Sequence, residues 1–272
     1  GVPELLKSVD WIGVVGGFWR YHDPGHLLGR LLGAESPRTA LAAISGSSPQ
    51  DLVGVAAERI ARGEITVALI VGGEAGAARR RIRAGGQEPS WTEESEGGQP
   101  EQIGGFDDAM ITEMAALGVA ATSYSLLDDS LRRQRGQTMS EHRDAISQLW
   151  SGFSQVAAAN PYAWDRVPRS ATEIREPSPS NRMISFPYTK ALVANNTVDL
   201  ASAILLCSAQ TAAAFGIADD RLVDPHVSTS SDESWQILHR RHLHETPALA
   251  AAGRVALEQA GIANISDLAH SM

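Results

Sequence analysis

The sequence predicts an α/β fold on three observations. Thr66–Val71 is a continuous apolar run with β-branched residues, the pattern of a strand covered on both faces of a parallel sheet. Segments with apolar residues at helical spacing alternate with such runs. Glycine, proline and serine punctuate the joints between them.

Taken in order, GVPELLKSVDW reads as a helix-end loop running into a strand, Trp11–Val15, which Gly16 and Gly17 end. Phe18 to Gly29 reads as a loop or irregular helix around Asp23-Pro24-Gly25. The stretch Ala40 to Glu74 is the most informative. Leu41, Ala43 and Ile44 lead in as a short strand, and Gly46 permits close backbone approach or a positive φ. Ser48 is the expected N-cap, with Pro49 at the first helical position. Leu52, Val53, Val55, Ala56, Ile60 and Ala61 recur at helical spacing until Gly63 ends the helix. The strand from Thr66 completes a βαβ unit. That unit sets Ser45 at the mouth of a helix N-terminus, where an α/β enzyme often keeps a nucleophile.

Residues 73–105 read as poorly ordered or surface-bound, because glycines break any period and Glu93, Glu94 and Glu96 add solvated charge. Residues 107–118 form a short helix ending at Gly118, and Leu126 to Arg135 a helix ending at Gly136. A start signal at Ser140 opens an amphipathic helix through Ile146, Leu149, Trp150, Phe153, Val156 and Ala157, stopped at Asn160-Pro161. Residues 161–190 are too long for a tight connection and read as a functional loop. Val198–Cys207 is a central-strand candidate, Ser208 to Phe215 a helix, Leu222 to Ser228 one more strand, and Pro247 to Gly261 a last helix. The order is that of an α/β domain interrupted by a mostly helical excursion.

Composition narrows the function. With 272 residues, 43% of them hydrophobic, the chain has ample material for a core. A formal charge of −9 argues against a nucleic-acid partner, whose phosphates need a basic face. The single cysteine, Cys207, excludes an internal disulfide and fits a reducing compartment, so a cytoplasmic location is expected. No apolar run reaches membrane-spanning length.

Three segments resemble one known family. ISGSSPQ and AAERIARGEITVALIVGGEA, within residues 44–74, resemble the nucleophile segment of thiolases. NRMISFPYTKALVANNTVDLASAILLCS, residues 181–208, resembles the later strand that returns from the thiolase loop domain. EHRDAISQLWSGFSQVAAANPYAW resembles loop-domain helices of the actinobacterial thiolase-like, acetyl-CoA acetyltransferase-like group related to sterol-carrier-type thiolases. The resemblance implies a layered thiolase-like fold: a βαβ-rich first half, an inserted helical loop domain, and an incomplete second half. The implied boundaries are 1–125 for the first half with its first strand missing, 126–190 for the loop domain, 191–216 for the return, and 217–272 for the beginning of the second half. The family's Gly-His-Pro and Cys-Gly-Gly motifs do not occur, so a fragment of a longer protein is one expectation, the ordered part of one another.

The implied ligand is an acyl-CoA, with coenzyme A as substrate or ligand and no prosthetic group. The family's nucleophilic cysteine is replaced here by Ser45. A thiolate is made available by a helix N-terminus and a histidine. A serine hydroxyl needs a dedicated base held by a third group. The expectation is therefore an acyl-CoA-binding protein without normal thiolysis or condensation. The alternatives are an active acyltransferase or thioesterase using Ser45, and a non-catalytic partner in a lipid-metabolism complex or homo-oligomer. Asn195 and Asn196 are candidates for the pantetheine amides, or merely cap a turn. Arg182 and Lys190 are candidates for the phosphates, or solvated bases. Cys207 reads as an inert core residue. His239, His242 and His244 read as a surface cluster rather than a metal site, as do His22 and His26. Arg79–Arg83 reads as a solvated face or a greeting for an anion or a neighbouring subunit.

Overall fold

The computed structural model describes residues 1–91, 98–105, 108–118 and 120–269, with only the backbone for 108–110. In chain order the elements are α1 (Val2–Lys7), β1 (Trp11–Val15), α2 (Pro24–Leu32), β2 (Arg38–Ala42), α3 (Ser48–Ala61), β3 (Val67–Ala75), α4 (Gly76–Ala84) and β4 (Glu101–Ile103). There follow α5 (Asp108–Leu117), α6 (Ala120–Gln134), α7 (Met139–Ala159), α8 (Ala171–Arg175), β5 (Met183–Ser185), β6 (Tyr188–Thr189), β7 (Asp199–Cys207), α9 (Ala209–Ala214) and α10 (Pro247–Ala260). They divide into two units. The first takes Gly1–Phe106, Asn196–Ser231 and Ala250–Met272, and the second Asp107–Asn195 and Asp232–Leu249.

The first unit is built on a five-stranded sheet of order β4-β2-β1-β3-β7. β4, β2, β1 and β3 are parallel, with Trp11 of β1 opposite both Arg38 and Ala68. β7 is antiparallel to β3, from Val67 opposite Cys207 to Ala75 opposite Asp199. Strand alternation divides the core between the two faces. Trp11 joins Leu52, Ala56, Ala68 and Ile70 on the α3 face. Ile12 and Val14 join Leu5, Val9, Val67 and Leu69 on the other, where Leu28 and Leu32 of α2 and Phe215 close the layer. Burial on both faces explains why β1 and β3 read as nearly unbroken apolar runs.

The βαβ unit of residues 40–72 folds as expected, with small shifts at its joints. β2 ends at Ala42, so Ala43 and Ile44 belong to the turn. The N-cap is Ser47; Ser48 is already helical, and its hydroxyl donates to the Ala43 carbonyl at 2.6 Å. Gly63 takes φ +71° and ends α3 in a Schellman turn: its N–H donates to the Ile60 carbonyl, and that of Glu64 to the Arg59 carbonyl.

Other expectations need correction. Val2–Lys7 is a helix, not a loop. Pro24–Leu32 is a regular helix capped by Asp23, whose two carboxylate oxygens accept from the His26 N–H and the Thr39 hydroxyl, each at 3.0 Å. Within residues 73–105 the chain forms α4 and β4; Glu93, Glu94 and Glu96 lie outside the described residues. β7 is an edge strand, not a central one, and its Leu200 is 66% exposed. Leu222–Ser228 forms no strand.

In the second unit α7 starts from Thr138 rather than Ser140. The Thr138 hydroxyl accepts from the Glu141 N–H at 3.2 Å, and the Glu141 carboxylate accepts from the Thr138 N–H at 2.7 Å. Ser170 and Glu173 repeat the device on α8. The apolar stripe of α7 is largely uncovered: Leu149, Phe153 and Val156 are exposed. Residues 161–190 are organised around the buried Asn181. Its amide donates to the carbonyls of Glu173, Ile174 and Glu176, and its oxygen accepts from the Ala191 N–H. Each of its polar atoms is thereby satisfied within its own unit.

Candidate functional site

In parallel α/β sheets ligands gather outside the carboxyl ends of the strands, where the chain's winding reverses direction. Here α2 leads from β1 to β2 on one side of β1, and α3 crosses back to β3 on the other. The reversal falls between β1 and β3. A crevice of 330 Å³ opens there, lined by Val15, Gly16, Pro49, Val71, Glu74 and the β7 residues Leu200 and Ser202 among others. A larger hollow of 870 Å³ runs along α2 past Arg38 and Glu101 at the amino ends of β2 and β4, with charges of both signs. Position relative to the strand ends, rather than size, favours the smaller one.

The crevice has a fixed rim. Gly16 donates its N–H to the Ala42 carbonyl at 2.9 Å, and a Cβ on it would lie 2.6 Å from that same oxygen. Glu74 accepts from the Phe18 N–H, the Trp19 indole donates to the Gly73 carbonyl at 3.1 Å, and Arg79 donates to the Phe18 carbonyl at 3.0 Å. The loop after β1 is thus stapled to the end of β3. Pro49 of α3 lines the same crevice, whereas Ser45, four residues earlier, does not.

Ser45 is exposed in that turn, between the end of β2 and the start of α3. Its Oγ accepts from the Ser47 N–H at 3.2 Å and lies 3.0 Å from the Ser47 hydroxyl. This is a local serine turn, which satisfies the hydroxyl within two residues. Among the described residues no imidazole or carboxylate hydrogen-bonds to Ser45. Gly46 has no positive φ, and among the described residues no atom lies within 4 Å of where its Cβ would be.

The other sequence candidates are placed as follows. Asn196 belongs to the first unit, exposed, with its carbonyl 2.6 Å from where a Cβ on Gly76 would be. Asn195, Arg182 and Lys190 belong to the second unit and are exposed. Arg182 and Lys190 are backbone neighbours at the open end of the β5–β6 hairpin, Lys190 N–H donating to the Arg182 carbonyl at 2.9 Å. Cys207 is half-buried beside the second core cluster, and burial pushes its thiol up, which suits an inert residue. The arginine run lies on α4 and is partly tied down: Arg79 to the Phe18 carbonyl, Arg81 to Asp199 and Arg83 to Glu88. Asp199 Oδ1 also accepts from the Ala78 N–H at 2.9 Å, so this carboxylate caps α4.

Sequence reasoning missed one polar node in the second unit. His142 is buried, with Nε2 3.1 Å from Asp128 and Nδ1 3.2 Å from the Gln137 side-chain oxygen. The Tyr188 hydroxyl donates to Asp128 at 2.9 Å, and burial with that carboxylate pushes its ionisation up, so it remains a donor. The node ties α6, α7 and β6. Its members are too far apart in sequence for any spacing rule to have found them.

Solved structures define the class to which this fold belongs. A monomeric SCP2-thiolase like protein type 1 from Mycobacterium smegmatis is 26% identical at a TM-score of 0.77, over 99% of this chain and 51% of that one. A complex described as Ltp2-ChsH2(DUF35) aldolase is 17% identical at 0.66, over 97% of this chain and 61% of that one. An acetyl-CoA acetyltransferase from Syntrophomonas wolfei is 16% identical at 0.54, over 97% and 66%. No family model and no curated protein matches the chain. The fold is thiolase-like. The chain is similar over nearly its whole length to the mycobacterial SCP2-thiolase-like protein, and it spans about half the length of that relative. Among the described residues no helix is long and apolar enough to cross a membrane.

Proposed function

We propose that this chain carries the nucleophile-position turn of a thiolase-like acyl-CoA-binding protein that has lost thiolysis and condensation. The observation that carries the reading is the hydroxyl of Ser45. It lies in the strand-to-helix turn whose sequence resembles the thiolase nucleophile segment, and its hydrogen-bond partners among the described residues are in Ser47. A serine hydroxyl, unlike a cysteine thiol, does not ionise near neutral pH. The apolar crevice at the carboxyl ends of β1 and β3 supports retention of a ligand. A thioester oxygen at Ser45 would meet backbone N–H groups of the turn, as at other helix starts.

Coenzyme A is the proposed ligand. Arg182 and Lys190 suit its phosphates, and Asn195 and Asn196 its pantetheine amides. The test uses the full-length protein. Calorimetric titration with CoA and acetyl-CoA is expected to give saturable binding, unchanged in Ser45→Ala and at least about tenfold weaker in an Arg182→Ala, Lys190→Ala double variant. Acetoacetyl-CoA is expected to remain uncleaved; robust thiolysis lost on Ser45→Ala would overturn the reading. An acyl adduct on Ser45 in mass spectrometry would instead favour an acyltransferase or thioesterase.

The uncovered stripe of α7 favours a second reading, an assembly subunit. One structural neighbour is a complex with a DUF35 protein. Stable co-elution with a DUF35 protein, abolished by Phe153→Asp, combined with no CoA affinity, would select this reading over the first.

A further inference from the structure

Three groups in the second unit take no part in the chemistry proposed above. His242 and Glu245 are the first and fourth residues of a turn in which the Glu245 N–H faces the His242 carbonyl at 3.5 Å. A turn of this kind brings its end residues together, as a helical turn does for residues three apart. His244 is the third residue. One ligand atom from each of His242, His244 and Glu245 lies within 4.8 Å of those of the other two. The two imidazoles are inclined at 51° with centroids 5.5 Å apart, so they converge rather than stack.

His244 is also oriented from behind. Ser130 Oγ, on α6, lies 3.1 Å from its Nδ1. That contact leaves Nε2 as the available nitrogen, and Nε2 is the one 3.7 Å from Glu245 Oε1. Metal-ligating imidazoles are commonly held this way, one nitrogen bonded to a neighbour and the other turned to the ion. The His244 side chain is 23% exposed and that of Glu245 54%, a sheltered anchor beside a freer arm. Of the nearby cations, Arg240 is bonded to the Ser234 carbonyl at 3.0 Å, and Arg241 is exposed.

We propose that His242, His244 and Glu245 form a site for a borderline-soft divalent cation of the Zn²⁺ kind. Two imidazoles and a carboxylate match the donors such ions take, at bonds of about 2.0–2.2 Å, which put tetrahedral donors roughly 3.3–3.5 Å apart. The donors must therefore draw together by about 1.5 Å at most, within reach of side-chain torsions at a surface turn. Imidazole selects Zn²⁺, Co²⁺ or Ni²⁺ over Mg²⁺ and Ca²⁺. Three protein ligands leave room for water or an exogenous ligand. His239 closes a separate 3-10 turn, Ile237–His239, and is not one of the three.

The test is calorimetric titration of the untagged protein with Zn²⁺, with Co²⁺ absorption as a report of donor geometry. The expected result is one ion per chain, not displaced by about a hundredfold excess of Mg²⁺. His244→Ala should abolish this binding, and His242→Ala and Glu245→Gln should each weaken it. Ser130→Ala, which removes only the group behind His244, should weaken it about tenfold or more. His22→Ala and His26→Ala should leave it unchanged. Glu245→Gln is an exposed isosteric change, so it keeps the test independent of folding. Absence of saturable uptake would overturn the proposal. So would uptake undiminished in Glu245→Gln and in a His242→Ala, His244→Ala double variant.

Discussion

Two turns stand at the carboxyl ends of neighbouring parallel strands, and they are built oppositely. The Gly16-Gly17 turn after β1 is sterically locked. Gly16 sits under the Ala42 carbonyl, and a Cβ on Gly17 would press on the Trp19 indole and the Glu74 carboxylate. Among the described residues the Ser45–Ser47 turn after β2 is open: no atom lies within 4 Å of a Cβ on Gly46, and Ser45 bonds only within the turn. The locked turn shapes the rim of the crevice, while the open one presents a replaceable side chain beside it. Separating the two duties lets a presented side chain change without disturbing the rim.

The largest effect that would break the contrast is expected at the locked turn. Gly16→Ala puts a methyl against a backbone oxygen that cannot rotate away, and overpacking of this kind costs about 1–3 kcal/mol. Urea unfolding should register that loss. A change below about 0.5 kcal/mol would mean that the turn adjusts freely and that the rim is not fixed.

Next comes the joint between the open turn and the helix. Ser48 is buried, and its hydroxyl donates to the Ala43 carbonyl. Ser48→Ala removes one hydrogen bond and leaves that carbonyl short of a partner, at a cost of about 1–2 kcal/mol. Ser45→Ala and Ser47→Ala, whose hydroxyls are exposed, should each cost within about 0.5 kcal/mol under the same denaturation assay. Equal losses at all three serines would erase the distinction between anchor and presented group.

How far these features were legible in the sequence follows from their physics. The βαβ unit was readable because burial of one face of α3 wrote a helical period into residues 52–61, and burial of both faces of β3 an unbroken apolar run into residues 66–71. α2 was not, because Gly25 and Gly29 interrupt its pattern. They are small because Cβ atoms there would approach Thr39 to 2.9 Å and Pro37 to 2.8 Å. α4 was hidden by arginines whose partners, Phe18 and Asp199, are remote in sequence. β7 read as central because its composition is apolar, yet strand order is set by long-range pairing that composition does not encode. Ser45 was singled out by resemblance, whereas its engagement by Ser47 depends on the local fold of the turn. The histidines of HRRHLHE were judged on helical spacing, and their backbone forms a turn.

A smaller effect tests whether the open turn depends on the far end of its own helix. Arg59 of α3 grips Glu101 of β4 with two hydrogen bonds, at 2.8 and 2.6 Å, and its guanidinium lies over the Trp11 ring. The hydrogen bonds from Arg59 hold the Glu101 carboxyl below its usual range. A carboxylate depressed in the folded state stabilises above its unfolded pKa, and the contribution is lost as pH falls through the folded value. Glu101 is about half exposed, so Glu101→Gln should cost at most about 1 kcal/mol at neutral pH. The difference from the parent should shrink with added salt and vanish in acid. A penalty that persisted unchanged below the carboxylate range would assign the effect to packing against Trp11 rather than charge.

The smallest expected change sharpens the contrast most. Gly46→Ala meets open space and needs no positive φ, so the folded state should accept it without strain. The unfolded chain loses freedom, so stability should rise by about 0.4–1 kcal/mol. The same methyl occupies the space beside Ser45 that a thioester oxygen would need. If the turn receives ligand, Gly46→Ala should therefore stabilise the protein while weakening acyl-CoA binding. A variant that is stabilised and binds as well as the parent would leave the turn open but unused, and would move the ligand away from Ser45.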